Sequence, residues 1–113
     1  MSQVISREAL QALIASDTQH TIVEALPPNY YQAEHLPGAI NIPHDEVAAT
    51  AARLVPDKSA TVVVYCANTE CRNSQVAAEA LRQLGYRRVY EYPEGKQGWK
   101  QAGLPLEGGG GAI

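Results

Sequence analysis

The segment Ala60-Thr61-Val62-Val63-Val64-Tyr65-Cys66 is a continuous run of apolar and β-branched residues with no polar alternation. A strand with one wet face alternates; one that is apolar throughout belongs where helices cover both faces of a sheet. This run therefore predicts the central strand of an α/β domain. The chain has 113 residues, of which 45% are apolar, which suits one globular domain able to bury a core.

The flanking segments agree with that architecture. Ser6 is placed to cap a helix whose apolar residues Ala9, Leu10, Leu13 and Ile14 recur at helical spacing, and Ser16-Asp17-Thr18 would stop it. A strand is predicted over Thr21–Ala25, ended by Pro27-Pro28, and a shorter one over Ala39–Ile42 between Pro37-Gly38 and Pro43. His44 to Leu54 reads as a weak helix closed by Pro56-Asp57. After the central strand, Val76, Ala77, Ala80, Leu81 and Leu84 form one stripe of a helix that Gly85 is placed to end. Arg88–Tyr92 reads as a further strand, followed by a short segment around Trp99 and a Gly103-Leu104-Pro105 stop. Alternation of this kind predicts a mainly parallel sheet of about five strands with helices on both faces, and ligands binding beyond the carboxyl ends of the strands.

Charge and composition remove several function classes. Nine basic and twelve acidic side chains leave a net charge of −3, with no basic cluster to neutralise phosphates, so nucleic acid is not an expected partner. No apolar run is long enough for a membrane span, and residues 1–7 carry no signal-peptide core, so the expected location is cytoplasmic. His20, His35 and His44 show no paired spacing with Cys66 and Cys71, so neither metal nor organic cofactor is expected. Residues 1–107 are read as the domain, and 108–113, rich in glycine, as a flexible tail.

The two cysteines carry the chemistry. Cys66 closes the central strand and is followed by a polar loop and a helix start, where backbone N–H groups stabilise an anion and lower a thiol pKa. Arg72 adds a permanent charge and a fork of donors. The alternative is a small buried residue ending an apolar strand, and Glu70 would oppose a thiolate unless it points outward.

Three motifs resemble the rhodanese family. Glu34–Pro43 resembles its early signature, Val62–Ser74 its active-site strand, loop and helix start, and Gly98-Trp99 with Gly103-Leu104-Pro105 its closing motif. The likeness runs from Thr21 to Glu107 in order. It implies a single rhodanese-like domain and a sulfurtransferase in which Cys66 takes a sulfane sulfur from thiosulfate or a similar donor, carries it as a persulfide and passes it to a thiol or protein acceptor. Ala67, Asn68, Thr69, Glu70, Cys71 and Arg72 would form the anion cradle, with Arg72 anchoring the donor. A covalent intermediate divides such a transfer into two easier steps.

The loop departs from the usual single-domain pattern. Arg72 lies six residues after Cys66 instead of five, and Asn68 and Thr69 stand where glycine is expected. This Cys-x5-Arg spacing resembles that of phosphatases and arsenate reductases on the same fold, which keeps oxyanion chemistry as an alternative. Against that alternative, Tyr65 stands where those enzymes have histidine, and no nearby aspartate offers a general acid. A non-catalytic binding module is the third reading. Cys71 is either a small packed residue or a resolving thiol that attacks an oxidised or persulfidated Cys66.

His35 is read as a structural residue tying the Pro37-Gly38 turn to the sheet. Tyr30, Tyr31, Tyr92 and Trp99 are read as covering residues, and Glu91 and Glu94 as solvated carboxylates, with proton donation in the phosphatase reading as the alternative. Glu24 and Leu26 stand where the family often has aspartate and arginine, so the familiar ion pair is expected to be absent.

Overall fold

A computed structural model describes residues 3–108. Ten elements follow in chain order: β1 (Gln3–Val4), α1 (Arg7–Ala15), β2 (His20–Glu24), α2 (Pro28–Ala33), β3 (Ile40–Asn41), α3 (Val47–Leu54), β4 (Thr61–Tyr65), α4 (Asn73–Gln83), β5 (Arg88–Tyr92) and α5 (Gly95–Gln101). The strands form one sheet in the order β1-β5-β4-β2-β3, and every pairing is parallel. The apolar run Thr61–Tyr65 is its middle strand, as its unbroken hydrophobicity predicts, with Val62, Val63, Val64 and Tyr65 all buried.

Helices cover both faces. Alternate residues of β4 feed two cores: Val62 and Val64 pack with Val47, Ala51, Ala77 and Leu81 of α3 and α4, whereas Val63 and Tyr65 pack with Leu10 of α1 and Trp99 of α5. Ser6 caps α1 by accepting from the Ala9 amide at 3.1 Å, and Gly85 ends the α4 segment at φ +100°, the conformation in which a side chain is strained. None of the helices among the described residues is long and apolar enough to cross a membrane.

Two elements were not foreseen. Among the described residues β1 has two, too few for a period to show, and it exists because it pairs with β5, Gln3 facing Tyr90 and Val4 facing Glu91. The helix α2 has no apolar stripe; Pro28 starts it, in the first-turn position where a missing N–H costs nothing. Of the Gly-rich tail, 109–113 lie outside the described residues.

Several tyrosines are sealed in neutral form. Burial first, and then the negative charge of Glu94, push the Tyr92 hydroxyl up to about 12, and burial with the Glu24 charge raises Tyr65 further still. Folded values above the unfolded value near 10 mean that the folded chain holds protons the unfolded chain releases. Stability is therefore full below about pH 10 and is lost as pH rises from there through about 12. Absorbance titration of tyrosinate should show buried tyrosines ionising together with loss of the helical circular dichroism. Ionisation of all six with the helices intact would refute this account.

Candidate active site

Cys66 follows the last residue of β4, at the carboxyl edge of the sheet, and only 1% of it is exposed. The chain then turns through residues 67–72 and enters α4 with Arg72 as the residue before its first turn. Asn68 organises this turn: its Oδ1 accepts from the amides of Glu70 (3.0 Å) and Cys71 (3.1 Å), and its carbonyl accepts from Cys71 as well (3.2 Å). This is the local closure that an asparagine side chain favours in a turn. It corrects the expectation that every amide from 67 to 72 faces an anion, because those of Glu70 and Cys71 are engaged by Asn68.

The turn brings Cys71 back onto Cys66. The two are joined as a disulfide, with Cα atoms 6.3 Å apart. In this state Cys66 is sealed, and the Ser74 hydroxyl of α4, itself buried, donates to its Sγ at 3.6 Å. Outside lies a cavity of about 570 Å³ lined by Val4, Thr69, Glu70, Cys71, Arg72, Ser74, Gln75, Glu91 and Pro93. Arg72 is exposed and forms no ion pair among the described residues. Glu70 is exposed, the outward position that a thiolate beside it requires.

Glu91 is not the solvated carboxylate expected of it. It is 8% exposed, forms part of the cavity wall, and its Oε2 is buried without a hydrogen-bond partner. The next residue of β5, Tyr92, packs edge-on to Trp99 in the core beneath α5.

The loop is held from below by α5. The amides of Lys96 and Gln97 donate to the carbonyls of Cys66 (3.0 Å) and Ala67 (2.9 Å). Gly95 permits that approach, because a Cβ there would overlap the Cys66 carbonyl oxygen. The pair between positions 24 and 26 is absent, as expected, and Lys96 supplies Glu24 with a cation instead. Its Nζ donates to Glu24 Oε2 (3.0 Å) and to the carbonyls of Tyr30 (3.0 Å) and Glu34 (2.8 Å), while Glu24 Oε1 accepts from the Tyr65 hydroxyl (2.7 Å). Leu26 is apolar and buried, and the cation arrives from 72 positions along the chain instead.

His35 is structural, by a different route from the one expected. Its ring stacks on Tyr31 at 4.0 Å, Nδ1 donates to the Tyr31 carbonyl, and its backbone bridges to Glu107. The tie to the sheet comes from the next residue, whose amide donates to the Tyr65 hydroxyl (Leu36, 3.0 Å).

Comparison with known proteins fits this geometry. The family model of the rhodanese-like domain matches residues 6–102. The thiosulfate sulfurtransferase PspE of Escherichia coli is 42% identical over 83 residues, 74% of this chain and 74% of that protein. A helix-turn-helix-type transcriptional regulator of Mycobacterium tuberculosis is 39% identical over 89 residues, covering 79% of this chain and only 38% of the regulator. Among solved structures, the thiosulfate sulfurtransferase of Pseudomonas aeruginosa superposes with a TM-score of 0.86 at 31% identity, over 99% of this chain and 22% of that one. The chain belongs to the rhodanese-like family.

Proposed function

We propose that this protein is a rhodanese-type sulfurtransferase that carries sulfane sulfur as a persulfide on Cys66. The observation that carries the reading is the position of Cys66: it ends the central parallel strand at the amino end of α4, with the Ser74 hydroxyl on its sulfur. A helix amino end favours the thiolate and the charged persulfide. Arg72, exposed on the cavity wall, supplies the charge that would draw an anionic donor such as thiosulfate. The reading gains support from the likeness to PspE and to the Pseudomonas enzyme, both thiosulfate sulfurtransferases.

In the reaction the Cys66 thiolate attacks the outer sulfur of thiosulfate, the sulfur–sulfur bond breaks, and sulfite leaves with the electron pair. A thiol, free or on a protein, then takes the sulfur. The unit assigned to this work is residues 1–107, in a reducing cytoplasm that returns the Cys66–Cys71 pair to thiols before each encounter. The chemistry calls for no metal, organic cofactor, nucleic acid or membrane. Ala67, Asn68, Thr69 and Arg72 are the loop positions left to supply amides to the donor.

Intact-mass spectrometry tests this. Pre-reduced Cys71→Ser protein exposed to thiosulfate gains one sulfur atom, and Cys66→Ser protein gains none. A second reading, a regulatory module that does no chemistry, draws on the identity with part of a transcriptional regulator. It predicts no gain with any sulfane donor, and that result would displace the sulfurtransferase.

A further inference from the structure

We infer that Cys71 discharges the Cys66 persulfide within the same chain, releasing the sulfane sulfur as sulfide and leaving the Cys66–Cys71 disulfide. The inference rests on the persulfide reading above and puts Cys71 ahead of any external thiol acceptor as the group that discharges it. It makes this protein a reductase of sulfane sulfur whose second substrate is a dithiol.

Three observations combine. First, the loop brings the Cys71 sulfur to the Cys66 Sγ itself, which in a persulfide is the inner sulfur. A Cα separation of 6.3 Å is within the range that a bridge spans without backbone distortion. Second, that placement is built by neighbouring groups: Asn68 accepts twice from the Cys71 amide and fixes the turn. Third, Cys71 lines the open cavity, whereas Cys66 is 1% exposed behind it. An external acceptor must pass Cys71 to reach the inner sulfur.

The step balances. The Cys71 thiol loses its proton and its sulfur attacks Cys66 Sγ; the Cys66–Cys71 bond forms and the bond from Cys66 to the sulfane sulfur breaks. The sulfane sulfur leaves with the electron pair and one proton as hydrosulfide. The two cysteine sulfurs are oxidised together to the disulfide, and the sulfane sulfur is reduced by two electrons. The thiol proton passes to solvent through the open cavity that Cys71 lines. A dithiol from solution then attacks the disulfide from the Cys71 side and restores both thiols.

A single-turnover experiment distinguishes this route. Protein is reduced, freed of reductant, and mixed anaerobically with thiosulfate at ~10 µM chain, and both sulfide and intact mass are followed. Wild type should release one sulfide per chain and lose two hydrogens, with no sulfur retained. Cys71→Ser and Cys71→Ala should retain the extra sulfur and release sulfide only when dithiothreitol is added. Tethering gives effective concentrations of about 1 mM or more, so wild type should discharge on the order of a hundredfold faster than either variant does with dithiothreitol at ~10 µM. Equal sulfide release from wild type and both variants would overturn the role of Cys71. So would a wild type that keeps its sulfur, since Cys71 would then leave the persulfide untouched or take the outer sulfur. No sulfur on either Cys71 variant would instead bring down the persulfide reading, and this inference with it.

Discussion

Lys96→Met should cost about 3–5 kcal/mol of unfolding free energy, the loss typical when one partner of a buried ion pair is removed. The Lys96 ammonium has three protons and three acceptors, Glu24 Oε2 and the carbonyls of Tyr30 and Glu34. Methionine keeps the apolar stem and deletes the charge. Glu24, fully buried, is left with the Tyr65 hydroxyl as its remaining donor, and the Glu34 carbonyl loses the lysine while that of Tyr30 keeps only the Glu34 amide. Domains of this kind have about 5–15 kcal/mol in total, so the variant would stand near its limit. Urea denaturation at neutral pH measures the loss. The double variant Glu24→Gln with Lys96→Met should recover a large part of it, because no uncompensated charge remains inside. A single-variant loss below about 1 kcal/mol, the range of surface pairs, would mean that water replaces the lysine and that the pair does not support the fold.

Gly95→Ala should be nearly as damaging, and its effect should reach Cys66. Gly95 sits at φ +64°, where an alanine costs ~1–2 kcal/mol in backbone energy alone. Its Cβ would also overlap the backbone of Cys66 and Ala67, adding ~1–3 kcal/mol. Relief requires α5 to move off the loop, which lengthens the bonds from the Lys96 and Gln97 amides to those two carbonyls. Gly103→Ala is the matching comparison, because Gly103 also has a positive φ, +78°, and a Cβ there meets nothing within 4 Å. The Gly95 variant should melt well below the Gly103 variant and take sulfur from thiosulfate more slowly at temperatures where both are folded. Equal melting of the two would show that the close approach to the loop carries no weight.

The elements that sequence predicted well are those whose pattern is local. An unbroken apolar strand at 61–65, an amphipathic α4 and a glycine after it each announce themselves within a dozen residues, and the cysteine loop follows from their junction. The short β1 and α2 carry no period, and partners elsewhere in the chain decide them, whereas β3, equally short, is bracketed by Pro37-Gly38 and Pro43. The same holds at the site. Asparagine at 68 is a recognisable turn former, so its grip on the loop could have been foreseen. Lys96 gave no such signal, because its acceptors at 24, 30 and 34 become neighbours only once the sheet and α5 are assembled. Glu91 was misjudged for a related reason: a carboxylate in an apparent strand is ordinarily on a wet face, and both faces of this sheet are covered.

The strand order has one further consequence. Among the described residues, the sheet ends on each side in a strand of two residues, β1 beyond β5 and β3 beyond β2. Exposed strand edges are templates on which other chains pile up, and short or charged margins are the usual defence. Here each margin offers two residues of ladder, and the part of β5 that β1 leaves bare begins with the exposed cation Arg88. Margins this narrow give other chains little ladder on which to extend the apolar centre of the sheet.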